Sequence, residues 1–347
     1  MNEALKRSFE GHPQTRYSQD INWFQQVHFA YYLSTASLSN AAAEEGFQRD
    51  RESHLFLPSS NADFAQNIEK LENYSPDVVI VTSTHDRIAS LQRLHVSIAR
   101  QRFRGRIAWL IIANGAPDTT VRQLSEWSRH HRWVVCLQYR SALGYAAPAR
   151  NRGLAFVQMC LHKCYKTMYT WAVDSDDHLH NDFAVRELYA VAQRHPAVMT
   201  HGYAAVRYQD DEGRSITVNT IPRNIGRSFP AVLTLKDELE MGPQVLSGLL
   251  PCAYLPHFYY PDEFTMEDDT LNRRIMAYAF KYRLKIGTVT YPCLLKTFHA
   301  NSMTKISDAV GRQDVEAHLG PRTVRGIRAQ IVLGLQYMRD YFTREGV

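Results

Sequence analysis

From residue 76 onward the chain alternates between two kinds of hydrophobic pattern. Val78-Val79-Ile80-Val81 is a short continuous apolar run, and after it apolar residues recur at helical spacing, at Ile88, Leu91, Leu94 and Ile98. A short apolar run bounded by polar residues suits a strand buried on both faces, and a three-to-four-residue period suits a helix with one buried stripe. The pattern repeats: a run at 107–112 precedes a helix predicted near 118–131, a run at 133–137 precedes a helix near 147–162, and a fourth run fills 168–173. Strands separated by helices predict an α/β fold with a doubly wound, mostly parallel sheet and flanking helices. In such sheets a ligand lies beyond the carboxyl ends of the strands, so the residues just after each run are the candidates for chemistry.

The pattern is weaker on either side of these strands. Residues 1–75 hold short amphipathic stretches (Trp23, Phe24, Val27, Phe29), an Ala-rich polar piece and a break at Pro58-Ser59-Ser60-Asn61. With so few aliphatic residues this part is expected to be a helical accessory segment packed on something else. After the fourth strand, Asp210-Asp211-Glu212-Gly213 separates two β-rich runs and predicts a hairpin. Residues 268–283 have a helical pattern. So do 323–343, where an apolar stripe (Val324, Ile327, Ile331, Leu335, Met338, Phe342) is surrounded by arginines; a helix packed on the domain and a peripheral membrane contact through this C-terminal helix are the two readings. The expected division is an accessory segment at 1–75, an α/β domain at 76–305 and a helical extension at 306–347.

Composition changes this picture little. The chain has 347 residues, 45% hydrophobic and 22% charged, which is ordinary for a globular protein and excludes wholesale disorder. Charge adds an asymmetry: residues 1–75 carry 6 Lys/Arg against 10 Asp/Glu, net −4, which leaves +9 of the total +5 on residues 76–347. The α/β part is therefore the expected anion binder. Its basic residues are too thinly spread for a nucleic-acid patch, so no nucleic-acid partner is expected. Cys136, Cys160, Cys164, Cys252 and Cys293 form no Cys-x-x-Cys pair, so a disulfide framework is not expected, and Cys160 with Cys164 suits two small buried residues better than a metal pair. The first residues hold no apolar leader and no run approaches the roughly 18 apolar residues that span a bilayer, which points to a cytoplasmic, soluble protein.

Three groups of residues carry candidate chemistry. Asp174-Ser175-Asp176-Asp177 follows the fourth strand, and like charges so close raise one another's pKa unless a cation is present. Their hard oxygen donors suit Mg2+ or Mn2+, which in turn bind a diphosphate; a solvated acidic turn capping the next helix is the bland alternative. Glu267-Asp268-Asp269 opens the helix at 268–283, where the dipole alone would favour acids, yet a carboxylate apart from a metal site is also what an attacking sugar hydroxyl needs to take its proton. His299, in Lys296-Thr297-Phe298-His299, could complete a metal shell from far along the chain, although a packed histidine is commoner. Aromatic residues at Tyr254, Phe258, Tyr259 and Tyr260 suit either stacking on a sugar ring or core packing.

Taken together, residues 76–305 resemble the inverting family-2 glycosyltransferases of the GT-A fold. Thr82-Ser83-Thr84-His85-Asp86-Arg87 looks like the first strand's donor loop, and Ala113-Asn114-Gly115-Ala116-Pro117-Asp118 like the second, usually Asp-Asp-Gly-Ser-x-Asp. Ala149-Arg150-Asn151-Arg152-Gly153 is similar to the family's Ala-Arg-Asn-x-Gly helix start, Asp174-Ser175-Asp176 to its D-x-D, Glu267-Asp268 to its catalytic pair and His299 to its metal histidine. The resemblance implies a metal-dependent enzyme that moves a hexosyl or N-acetylhexosaminyl group from a nucleotide-sugar, most simply UDP-linked, to a hydroxyl of a glycan, lipid-linked or protein acceptor. It implies that Thr82, Thr84 and Arg87 line the donor, that Asn114 reads the base edge, and that Arg150 meets the diphosphate or sugar. Asp174 would contact ribose, Asp176 and His299 would hold Mn2+ or Mg2+ with Asp177 close by, and Asp268 would be the general base steadied by Glu267. Two positions depart from the family. Asn114 replaces an acid that accepts from uracil N3, and its amide both accepts and donates; Ala113 replaces the neighbouring acid. A nucleotidyltransferase is disfavoured because residues 82–87 lack glycine. A non-catalytic binding protein of the same fold remains the other alternative, with the intact Asp268 against it.

Overall fold

The computed structural model describes residues 40–56, 58–143, 146–160, 168–195, 197–209, 215–219, 232–233, 247–260 and 284–299, with 268, 271, 272, 275, 278, 279 and 282 between them. Expectations for residues 1–39, for Cys164, for Glu267 and for everything after 299 fall outside the described residues.

The α/β alternation is present as β1 (Val78–Thr84), α3 (Ile88–Ala99), β2 (Ile107–Asn114), α4 (Asp118–His130), β3 (Val134–Tyr139), α5 (Ala146–Cys160) and β4 (Tyr169–Ala172), preceded by α1 (Asn40–Glu52) and α2 (Pro58–Tyr74). β1 pairs in parallel with β2 on one side and β4 on the other, and β2 with β3, giving the order β3-β2-β1-β4. β1 is apolar and buried along both faces, as a central parallel strand must be. Val79 and Val81 join Leu110, Ile112, Val135, Leu137 and α5 in one core. Val78 and Ile80 join Trp109, Ile111 and the stripe Leu91, Leu94 and Ile98 of α3 in the other.

The second half departs from simple alternation. β5 (His178–Leu179), α6 (Ala184–Arg194), β6 (Met199–Gln209), β7 (Ser215–Asn219), β8 (Val232–Leu233), β9 (Ser247–Pro251) and β10 (Ile286–His299) extend the sheet as β4-β9-β6-β10-β5. β9 runs antiparallel between β4 and β6, whereas β6 and β10 form a long parallel ladder from Ile286 opposite Met199 to His299 opposite Gln209. Most paired residues therefore lie in parallel ladders, with antiparallel strands at the join and the edges. β6 and β7 flank the expected hairpin turn as an antiparallel pair. The described residues between 268 and 282 are helical.

The helices α1 and α2 pack on the outer side of β3 and α5. Phe47, Phe56 and Phe64 bury against Phe156 and Tyr139, with the Phe56 and Tyr139 rings 4.4 Å apart. Asp50, buried in this contact, accepts a 3.0 Å hydrogen bond from Tyr139 Oη and pairs with Arg152 at 2.8 Å, so its charge is matched where water is excluded. Cys136, Cys160, Cys252 and Cys293 are buried and in no disulfide. Burial pushes the Cys136 thiol up to about 12, so it stays protonated and behaves as a small hydrophobe. Among the described residues no helix is long and apolar enough to cross a membrane.

Two glycines place the elements that matter for the site. A Cβ on Gly153 would lie 2.4 Å from Val81 Cγ1, so α5 can approach β1 only with glycine there. That approach sets Arg150, one turn earlier, over the sheet's carboxyl edge. Gly115 turns the chain after β2 at φ 64°, where a Cβ would strike the backbone of Ala142 at 2.4 Å.

Candidate active site

The chain reaches β4 from β3 by crossing to the far side of β1, so strand order reverses between β1 and β4. The crevice at such a reversal is open because the flanking connections leave in opposite directions. Asp174-Ser175-Asp176-Asp177 sits at this edge as a turn after β4, closed by a hydrogen bond from Asp177 N–H to Asp174 O of 3.1 Å. The turn sorts its carboxylates. Asp174 and Asp176 remain part-exposed, with 28% and 19% of their side chains accessible, while Asp177 turns inward.

Asp177 is a tie between the turn and β10. Its Oδ1 accepts the Thr297 N–H at 3.0 Å. Burial raises its carboxyl well above the usual range against the pull of the Lys296 ammonium, and repulsion from Asp174 and Asp176 adds to the rise. Lys296 lies 3.9 Å from Asp174 Oδ2. Burial alone would lower its pKa, but Asp177, Asp174 and Asp268 together raise it, so the ammonium stays charged.

Arg150 joins the two acidic motifs. Nη2 donates to Asp174 Oδ1, and Nη1 donates to Asp268 Oδ1 at 3.0 Å, so one buried guanidinium spans carboxylates 94 positions apart in the chain. The Tyr260 ring lies under it, 5.1 Å from Cζ to centroid. Tyr260 is itself held by Asn151, whose Oδ1 accepts from Tyr260 N–H and whose Nδ2 donates to Tyr260 O, each at 2.8 Å. Of the aromatic residues near 254–260, Phe258 is fully buried and Tyr260 nearly so, in the core cluster that Tyr254 and Tyr259 also join. Arg87, just beyond β1, ion-pairs with Asp176 across the crevice. A cavity of about 40 Å³ lies beside Asp268, lined also by Asn272, Trp171 and Ser247, and the buried Asn272 Nδ2 has no hydrogen-bond partner among the described residues.

The remaining sequence candidates occupy different depths. Thr82 is fully buried, and its hydroxyl accepts the Trp109 indole N–H at 3.0 Å, so it faces the core. Thr84, two residues nearer the edge, leaves a buried hydroxyl with no hydrogen-bond partner among the described residues. Asn114 ends β2; its Oδ1 accepts Leu143 N–H at 2.6 Å and its carbonyl oxygen is 3.1 Å from His85 Nδ1, which ties the loops after β1, β2 and β3 together. His299 ends β10, but its side chain and Glu267 lie outside the described residues. The crevice thus gathers Arg87, Arg150, Asp174, Asp176, Asp177 and Asp268, and leaves Thr82 behind them. Sequence reasoning passed over Lys296 and Asn151 as site residues, and raised Tyr260 for sugar stacking or core packing but not as the ring beneath Arg150. Lys296 stood inside the His299 motif, and a lysine in an apolar strand run was the available signal.

Four carboxylates (Asp174, Asp176, Asp177, Asp268) meet three cations (Arg87, Arg150, Lys296), a local balance of −1 with all ionised. Among the described residues no three His, Cys, Asp or Glu side chains converge as a metal cage. Two part-exposed carboxylates on one turn nevertheless fit Mg2+ or Mn2+, which are commonly held by one or two carboxylates with water and phosphate oxygens completing the shell.

No protein-family model matches the chain, and no curated protein matches it by sequence. Among solved structures it is similar to residues 1–349 of S. aureus TarS, at 16% identity over 64% of this chain and 60% of that one, TM-score 0.45. The same fragment in complex with UDP-GlcNAc aligns at 14% identity over 64% and 58%, TM-score 0.46. The mannosyltransferase PcManGT from Pyrobaculum calidifontis, in complex with GDP-Man and Mn2+, aligns at 10% identity over 77% and 71%, TM-score 0.42. The chain spans about three-fifths of the length of the TarS fragment.

Proposed function

We propose that the chain is an inverting glycosyltransferase that moves a sugar from a nucleotide-sugar to an acceptor hydroxyl in the crevice between the carboxyl ends of β1 and β4. The observation that carries this reading is the double engagement of Arg150, which draws the Asp174 turn and the distant Asp268 onto one guanidinium at the place where a doubly wound sheet binds its ligand. In this reading residues 76–305 are the catalytic unit, 1–75 brace it through α1 and α2, and 306–347 extend it.

The chain's own groups divide the work. Arg87, Arg150 and Lys296 offer positive charge to a diphosphate, and guanidinium forks match phosphate oxygens well. Thr84 and Asn114, at the ends of β1 and β2, face the nucleoside side. Asp176 and His299 would hold Mn2+ or Mg2+, with Asp174 on the ribose; a divalent ion there supplies Lewis-acid neutralisation of the charge on the departing diphosphate. Arg150 fixes Oδ1 of Asp268 and leaves Oδ2 to accept the proton of the acceptor hydroxyl, the general-base role. One displacement without a covalent intermediate inverts the anomeric centre.

The test is transfer and donor hydrolysis across UDP- and GDP-linked sugars, with Mn2+ and with chelator. The expected result is a sugar released with inverted configuration only when the ion is present. Release with retained configuration would reject the single displacement, and full activity in chelator would remove the ion.

A further inference from the structure

A second polar site opens beside the carboxylate turn, between α3, β5 and β6. It is a cavity of about 540 Å³, within the roughly 300–1,000 Å³ of pockets that hold small organic ligands. Arg93, Arg100, Arg207, His178, His180 and Asp182 line it. Three arginines thus face one carboxylate, and that carboxylate is engaged: Asp182 pairs with Arg100 at 3.6 Å and with Arg102 at 3.8 Å. Arg93 contacts Ser90 Oγ at 2.9 Å and, among the described residues, no acid. Arg207 Nε, His178 Nδ1 and His180 Nδ1 are buried with no hydrogen-bond partner. Burial and the nearby Arg93 both act to lower the pKa of Arg207, and among the described residues no carboxylate pairs with it.

The wall carrying the histidines is fixed. Leu179 N–H donates to Ser97 Oγ at 3.1 Å and His180 N–H to Cys293 O at 3.0 Å, while Asn181 Nδ2 donates to Pro292 O at 3.1 Å. Three arginines around one carboxylate that is already paired leave an excess of positive charge on this cavity, which points to an anionic ligand. A carboxylate has two oxygens and is filled by a single guanidinium fork, whereas guanidinium groups on two elements, α3 and β6, suit a tetrahedral group with several charged oxygens.

We propose that this pocket binds a phosphoryl group carried on a small organic body, with Arg93 and Arg207 on its oxygens and the His178 and His180 side chains in its wall. None of these residues serves the nucleotide-sugar reading, so the two stand or fall separately. The test follows the imidazole nitrogen resonances of His180 and His178 in the full chain as glycerol 3-phosphate is added, with inorganic phosphate in a parallel series. Saturable shifts are expected with both, at lower concentration for the ester, and at least tenfold weaker binding in Arg93→Gln/Arg207→Gln. Should the double variant not fold, Arg93→Gln alone, at an exposed helix position, is expected to weaken binding at least threefold. In Arg150→Gln the shifts are expected to be unchanged. The proposal is overturned if the ester gives no saturable shift, if the arginine variants bind as tightly as the wild type, or if Arg150→Gln alone abolishes the response, since the anion then sits at the carboxylate turn. Tighter binding of inorganic phosphate than of the ester overturns the organic body.

Discussion

Between Asp174 and Asp182 the chain passes through two sites with opposite electrostatics. In the crevice every carboxylate has a cation: Arg87 on Asp176, Arg150 on Asp174 and Asp268, and Lys296 among Asp174, Asp177 and Asp268. Beside it, Arg93 and Arg207 have no carboxylate partner among the described residues, and buried nitrogens there go unmatched. The difference teaches what each is ready to receive. The crevice is balanced to within one charge, so an incoming diphosphate unbalances it and a divalent cation restores the balance. The neighbouring pocket keeps an excess of positive charge.

The largest effect that would break or sharpen this contrast is on turnover. Asp268→Asn keeps the hydrogen bond from Arg150 but removes basicity, and a general base typically contributes about 10²–10⁴-fold in rate. Turnover in steady-state kinetics is therefore expected to fall by about that factor with donor affinity nearly unchanged; near-normal turnover excludes Asp268 as the base.

Next comes a pH effect on the strand that carries Arg207. Burial lowers His201 on β6 to about 4 from 6.5, so the folded chain holds it neutral while the unfolded chain takes up a proton below about 6.5. Stability from this group is complete above 6.5, falls as pH drops towards 4, and changes no further below that. At 1.36 kcal/mol per pKa unit the loss is about 3 kcal/mol, measurable by denaturant unfolding across that range. His201→Gln is expected to flatten the slope, and an unchanged slope would assign it to other groups.

Smaller again is the effect of Arg150→Lys. An ammonium restores the charge but not the fork that reaches Asp174 and Asp268 together, and a hydrogen bond to a charged group is worth about 1.5–3 kcal/mol. Turnover is expected to fall by about 10- to 100-fold, with the pocket beside it unaffected. Wild-type activity in this variant would mean that charge alone suffices. The smallest effect is Asn114→Asp: a carboxylate can still accept from Leu143 N–H but offers no donors, so the ratio of UDP to GDP affinity is expected to rise by a few fold. If calorimetry finds the ratio unmoved, Asn114 does not read the base.

Much of the first half of the fold was legible in the sequence because β1, β2 and β3 are buried on both faces and so read as unbroken apolar runs. The second half was not. β5 and β8 have two residues each, too few for any period, and the parallel pairing of β6 with β10 joins segments separated by some eighty residues that no local pattern links. The site divides in the same way. Asp174, Asp176 and Asp268 stand in acidic clusters that can be seen by eye, but their shared Arg150 is a contact across the fold, and Thr82 matched a motif while its hydroxyl serves Trp109. Arg93, His178, His180 and Arg207 come from α3, β5 with the loop after it, and β6, so no spacing announces their pocket.

The central claim is that the crevice joined by Arg150 holds a nucleotide-sugar through its carboxylate turn. Titration calorimetry with UDP-GlcNAc and GDP-mannose, on the wild type and Asp176→Ala, with Mn2+ and with chelator, tests it most directly. Saturable binding of one donor to the wild type with Mn2+, lost on chelation and in Asp176→Ala, is the predicted result; no binding of either donor, or equal binding to both proteins, would contradict it.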